Sequence, residues 1–165
     1  MTLRERCTRI ELLLLDVDGV LSDGSIIYAG DGTEIKPFHV RDGSGLVRWR
    51  RRGKRTAILS GRTSAATTIR ATELGITHIV QGATDKLEAF RKILQDERLE
   101  PEQACAIGDD TLDIEVLQEC GLAVAVADAA PTVLRYAHYV TLARGGRGAV
   151  REVIELILRC QGHQG

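Results

Sequence analysis

Residues 12–23 read Leu-Leu-Leu-Leu-Asp-Val-Asp-Gly-Val-Leu-Ser-Asp. The four leucines are too few for a helix and too uniformly apolar for a strand with one wet face. They suit a strand of a parallel sheet that is covered on both sides. The run breaks at once into Asp16, Asp18 and Gly19, which places two carboxylates at the carboxyl end of that strand. In open α/β sheets, ligands bind at such ends.

The same pattern recurs along the chain. Thr56–Leu59 is a second apolar run and ends in Ser60-Gly61. His78–Val80 ends in Gln81-Gly82, and Ala104–Ile107 ends in Gly108-Asp109. Leu122–Val126 is a fifth strand and His138–Val140 a short sixth. Helices alternate with them. Leu87, Phe90 and Leu94 share one face of a helix over Lys86–Arg98. Ile114 and Leu117 belong to another, with Gly121 read as its C-cap. Val150, Val153, Ile154, Ile157 and Leu158 form the apolar stripe of the last helix. The expected fold is α/β: a Rossmann-like doubly wound parallel sheet forming one domain over residues 1–165. One segment interrupts the alternation. Ser25–Tyr28 and Glu34–Val40 read as a β-hairpin around Gly30-Asp31-Gly32, inserted at about residues 25–40. The C-terminal helix and tail occupy about 145–165.

Composition narrows the function. The 165 residues are 44% hydrophobic and 27% charged, with a formal net charge of −1. Nucleic-acid and anionic-membrane binders are usually more basic. Aromatics make up only 4%, so platforms for base stacking are nearly absent. The four cysteines form no CxxC pair, which argues against zinc, and Cys105 and Cys120 read as buried thiols of a reducing compartment. No apolar run reaches membrane-span length, and the run after Met1–Arg9 is too short for a signal peptide. A cytoplasmic location is expected. Glycine is in excess, 17 against 3 prolines. Many glycines fall beside strand ends, at Gly19, Gly24, Gly43, Gly61, Gly82, Gly108 and Gly145–Gly148, where close approach to phosphate, metal or a neighbouring subunit is expected.

The strand ends gather Asp16, Asp18, Ser60, Asp109, Asp110 and Asp113, with Lys86 opening a helix nearby. Clustered carboxylates repel one another unless a divalent cation joins them, and an oxygen-only set suits magnesium. Added serine and lysine suit a phosphoryl group. A carboxylate attacks phosphorus only when it is oriented and metal-bound. Asp16, first after the strand, is the expected nucleophile, and Asp18 the expected acid and base.

Asp16-Val-Asp-Gly-Val-Leu-Ser-Asp23, Leu59-Ser-Gly-Arg62, Lys86 and Gly108-Asp-Asp-Thr-Leu-Asp113 resemble, in order, the four motifs of the haloacid dehalogenase superfamily of phosphatases. The resemblance implies magnesium held by the Asp16 carboxylate, the Asp18 backbone carbonyl and the Asp109 carboxylate. Asp110 and Asp113 either orient this site from behind or cap the following helix. Receiver domains share an acidic cluster with a Ser or Thr and a Lys, but lack the paired DxD and GDDxxD.

Further segments resemble the capless sugar-acid phosphatases of this superfamily, which act in lipopolysaccharide synthesis. They are Val40-Arg-Asp-Gly43, Gln81-Gly82 before Lys86, Val126-Ala-Asp-Ala129 and Gly145-Gly-Arg-Gly-Ala-Val-Arg-Glu152. The resemblance implies a homotetramer with the hairpin at the interface and an eight-carbon sugar-acid 8-phosphate as substrate. A nine-carbon 9-phosphate and a non-catalytic assembly module are the alternatives. It also implies substrate contacts from His39, Val40, Arg41, Asp42, Gly43, Arg62 and Arg70, besides Asp18 and Lys86. For Arg62 and Arg70 a solvated helical position is the other reading. Arg147 either reaches toward a neighbouring subunit's site or sits in a flexible loop. Members often carry an arginine shortly after VRDG. Here Val47 precedes Arg48, which either substitutes or leaves one contact missing. The cluster Arg48, Arg50, Arg51, Arg52, Lys54 and Arg55 reads as a solvated helix C-terminus. His39 and His78 are not expected to bind metal, and His163 falls in a frayed tail.

Overall fold

The computed structural model describes residues 1–163; Gln164 and Gly165, the end of the expected tail, lie outside the described residues. The elements run α1 (Leu3–Arg9), β1 (Leu12–Leu15), β2 (Ile27–Tyr28), β3 (Glu34–Ile35), α2 (Val40–Arg51), β4 (Arg55–Leu59), α3 (Ala65–Leu74), β5 (His78–Val80) and α4 (Lys86–Glu97). There follow β6 (Ala104–Gly108), α5 (Ile114–Glu119), β7 (Leu122–Ala125), α6 (Pro131–Leu134), β8 (Tyr139–Val140) and α7 (Ala149–Cys160). Six strands form one parallel sheet in the order β5-β4-β1-β6-β7-β8. All four β1 leucines are buried, as a strand flanked by β4 and β6 and covered on both faces requires. The chain leaves β1 toward β4 on one side and later returns to β6 on the other. Strand order therefore reverses beside β1, and the loops there diverge into a crevice.

Several expected boundaries move. The hairpin is shorter than its signal: the second arm ends at Ile35. Pro37 has no N–H to continue the ladder, and Val40-Arg-Asp-Gly43 forms the first turn of α2 instead of a strand end. The helix expected over Lys86–Arg98 stops at Glu97, with Arg98 closing it in the left-handed region (φ 55°). Gly121 does not cap α5, because the chain is already extended at Cys120. Its role is close approach: its N–H donates to Pro101 O at 2.8 Å, and Arg6 Nη1 donates to its carbonyl at 2.6 Å.

The basic cluster is a solvated helix end only in part: Arg51 and Arg52 are exposed there, while other members are tied back to the fold. Arg50 donates to Leu74 O at 3.0 Å. Lys54 reaches Ile10 O and Glu11, and Arg55 pairs with Glu97. These cations lock α2 and β4 onto neighbouring elements, around the buried Trp49. His163 is not frayed either: its N–H bonds Leu158 O at 2.9 Å and its ring meets Arg52. Cys105 and Cys120 are buried free thiols, as expected. Among the described residues, no helix is long and apolar enough to cross a membrane.

Candidate active site

Asp16 follows β1 directly, its N–H anchored on Ile107 O at 3.1 Å. The chain then makes a single wide turn, Val17–Leu21, closed by Ser22 N–H on Val17 O at 2.9 Å. Gly19 takes φ 91° within it. A β-carbon there would lie 2.6 Å from the Asp109 carboxyl carbon. Only glycine lets the loop after β1 come this close to Asp109 at the end of β6.

Ser60 caps β4 and is buried; its N–H donates to Val80 O at 2.9 Å. Lys86 opens α4, whose N-cap Asp85 accepts from Glu88 N at 2.8 Å. The Lys86 ammonium lies 2.9 Å from Asp16 Oδ1 and 2.6 Å from Asp113 Oδ1. Asp113 Oδ2 accepts the N–H groups of Asp109 at 3.0 Å and Asp110 at 3.3 Å. One carboxylate thus aims the lysine and holds the loop that carries Asp109. Asp110 caps the short turn after it, accepting from Thr111 N at 2.7 Å.

These groups line a cavity of about 490 Å³ together with Asp18, Gly61, Arg62, Ala83, Thr84 and Leu112. Its size and its few convergent polar groups suit a small ligand. Carboxylate oxygens of Asp16, Asp109 and Asp113 lie within 4.8 Å of one another, an all-oxygen set that fits magnesium. Asp113 already spends both oxygens on Lys86 and the loop N–H groups, which leaves Asp16 and Asp109 as the natural metal carboxylates. Electrostatics agree. Burial, then the neighbouring Asp113 charge, pushes Asp16 up to about 6. Burial and the charges of Asp16, Asp113 and Asp110 push Asp109 up to about 7. Burial opposes charge on Lys86, but Asp16 and Asp113 outweigh it and hold the ammonium above its usual range. A divalent cation would relieve the carboxylate repulsion that Lys86 only partly offsets.

Asp18 turns the other way. Its Oδ1 accepts from Lys36, and its Oδ2 lies 3.7 Å from Arg62 Nη1. Glu34 completes the group, 2.9 Å from Arg62 Nη2 and 3.7 Å from Lys36. The sequence reading did not single out Lys36 or Glu34. The available signal was period-two alternation in the hairpin, which sends Glu34 and Lys36 to one side and Ile35 to the other.

The remaining expected substrate contacts lie outside this cavity within the chain. Asp42 is buried and accepts from Gly148 N at 3.1 Å and Arg151 N at 2.8 Å, so it closes the N-terminus of α7. Gly43 is buried in α2, and a side chain there would strike Arg70, which pairs with Glu73 at 3.1 Å. His39 precedes α2, and Val40 and Arg41 are exposed on its first turn. Arg147 is exposed and meets Asp23 at 3.0 Å. Its loop packs against this chain's own turn at Val17–Asp23. Gly146 N–H bonds Val20 O at 2.8 Å, and a β-carbon at Gly145 would lie 2.5 Å from the Gly19 carbonyl carbon. The glycine-rich turn is thus packed against the loop after β1.

A profile described as haloacid dehalogenase-like hydrolase matches residues 46–154. The 3-deoxy-D-manno-octulosonate 8-phosphate phosphatase KdsC of Yersinia pestis is 49% identical over 157 residues, covering 95% of this chain and 84% of that protein. A crystal structure of the same phosphatase from Yersinia pestis superposes with TM-score 0.95 at 48% identity, over 97% of this chain and 86% of the other. The phosphatase from Moraxella catarrhalis, crystallised with a magnesium ion, a phosphate ion and a KDO molecule, superposes with TM-score 0.94 at 43% identity, over 96% and 91%.

Proposed function

Because this chain belongs to the haloacid dehalogenase-like hydrolases and, within them, to the KdsC phosphatases, we propose that its cavity hydrolyses 3-deoxy-D-manno-octulosonate 8-phosphate to the free sugar acid and phosphate. The observation that carries this reading is the convergence of Asp16, Asp18, Ser60, Lys86 and Asp109 on one cavity. Membership alone leaves the chemistry open.

Asp16 attacks phosphorus, forming an aspartyl-phosphate as the bond from phosphorus to the sugar oxygen breaks. Asp18 gives that departing oxygen a proton. It then takes one from the water that attacks the acyl-phosphate, so phosphate leaves and Asp16 returns as a carboxylate. Lys86 and Ser60 hold the phosphoryl oxygens, and Lys86 stays charged because Asp16 and Asp113 flank it. Magnesium, held by Asp16 and Asp109 with the Asp18 backbone carbonyl, supplies the positive charge that lets an anionic nucleophile meet an anionic ester. Arg62, at the cavity wall, offers a planar fork for the sugar-acid carboxylate. His39, Val40, Arg41, Arg70 and Arg147 complete substrate contacts in the assembled enzyme, while the buried Asp42 and Gly43 hold α2 against its neighbours instead of meeting substrate.

Assembly is part of the reading. The hairpin presents Ile26, Ile27 and Ile35 to solvent, each more than two-fifths exposed, beside the catalytic loop. An apolar cluster of this kind on a marginal two-stranded unit calls for a covering surface. A homotetramer closed through the hairpins supplies it and replaces a cap. The enzyme works in the cytoplasm, where four free cysteines stay reduced.

The test is phosphate release from a panel of sugar-acid phosphates with magnesium and after chelation. The eight-carbon 8-phosphate is turned over fastest and only with the metal. Equal rates across eight- and nine-carbon substrates would remove the specific assignment.

A further inference from the structure

The hairpin does more than present an outer apolar face. Its inner side delivers Lys36, whose side chain is 1% exposed, onto Oδ1 of Asp18. A lysine this deeply buried is rare unless paired. Its partners are Asp18 and, at 3.7 Å, Glu34, which also holds Arg62 at 2.9 Å. Asp18 is gripped from one side by Lys36, while Oδ2 is left toward Arg62, where both residues line the cavity. Asp18 sits on a turn with non-helical backbone (φ −77°, ψ 112°) and has no helix to fix its rotamer.

We infer that Lys36 is a positioning residue for Asp18: it fixes one carboxylate oxygen so that the other faces the departing oxygen of the substrate. Glu34 orients Lys36 and Arg62 together. The inserted hairpin is thereby joined to the proton-transfer group and not only to the subunit surface. This inference rests on the assignment of Asp18 as acid and base.

The experiment is a double-mutant cycle of Lys36→Met and Asp18→Asn, read on two kinds of ester. An alkyl phosphate needs its leaving oxygen protonated; p-nitrophenyl phosphate hardly does. Lys36→Met lowers kcat on alkyl phosphates at least tenfold, a part of the ~10²–10⁴ that a general acid supplies. It lowers kcat on the aryl ester far less and costs little further in the Asp18→Asn background. Lys36→Arg, which keeps a donor, recovers part of the loss. Lys36→Gln is taken through the same cycle, so that a misfolded Met variant, seen by circular dichroism, does not decide the matter. Equal losses on both esters, full additivity with Asp18→Asn, or a KM rise at constant kcat would each overturn the inference. The alkyl ester is supplied both as the sugar-acid 8-phosphate and as glycerol phosphate. Wild-type inactivity on the first alone overturns the substrate assignment, while additivity on either overturns the role of Lys36.

Discussion

Lys86 Nζ and Asp113 Oδ1 stand 2.6 Å apart, and the same carboxylate's Oδ2 receives the N–H of Asp109. Asp113 therefore links Lys86, the cation proposed to hold phosphate, to the loop carrying Asp109, the proposed metal carboxylate. Removing one charge at this point disturbs both. Asp113→Asn lowers kcat by about 10–100-fold, the scale seen when partners behind a metal ligand are lost, and raises the magnesium concentration for half-activity. Steady-state titration with magnesium checks both effects together.

The crowded carboxylates impose a pH dependence on the metal-free protein. Asp16 moves from 3.8 to about 6 and Asp109 from 3.8 to about 7, so the folded state binds protons more tightly than the unfolded chain. The stability this contributes is fully present below the unfolded value and is lost as pH rises through the folded ones. His138 is shifted downward by burial and works in the opposite direction near neutrality. The comparison therefore uses Asp109→Asn. Thermal melts from pH 5 to 7.5 in chelator show the wild type losing more stability with rising pH than the variant, and magnesium flattens the wild-type curve. Parallel curves for the two proteins would contradict this account of the site.

Asp42 separates a structural role from a binding one. It is buried and takes two N–H groups at the start of α7. Asp42→Ala leaves those donors unpaired and costs about 1–3 kcal/mol of stability, measured by denaturant unfolding. Below the new melting temperature kcat is largely retained, since Asp42 does not line the cavity.

Gly145, whose N–H donates to Asp128 Oδ1 at 2.9 Å, carries a prediction that rests on packing. A side chain there meets the backbone of Gly19. Gly145→Ala pushes on the loop after β1 and lowers kcat on the order of 10–100-fold, since small displacements of reacting groups are costly. Melting temperature falls as well, since the added methyl meets backbone and not the end of a flexible side chain.

Much of this site was legible because Asp16, Ser60 and Asp109 each directly follow an apolar strand. Leu12–Leu15 and Ala104–Ile107 announce themselves by being buried on both faces, and whatever polar residue comes next must stand at a strand end. Asp16, Ser60 and Asp109 were found that way. Residues that act through long-range packing gave no such signal. Asp42 lies just past the expected hairpin, in the Val40–Gly43 segment that the family resemblance assigned to substrate. Only the fold brings it to α7, more than a hundred residues away in sequence. Lys36 was hidden because an isolated lysine in a short polar segment looks solvated until the hairpin folds it inward. Gly145 and Gly146 are close-approach positions, as expected of that turn, whereas a β-carbon at Gly148 would meet nothing within 4 Å. The close approach the structure contains is to this chain's own Gly19 loop, and sequence carries no record of that partner.

The central claim is that Asp16 is the nucleophile. The direct measurement is phosphate release from 3-deoxy-D-manno-octulosonate 8-phosphate by Asp16→Asn at saturating magnesium, beside the wild type. The amide is close in size to the carboxylate and cannot form the aspartyl-phosphate. A loss on the order of a thousandfold or more is expected, as for removal of a covalent nucleophile. A variant retaining a rate within about tenfold of wild type, well inside what a mere positioning effect explains, would contradict it.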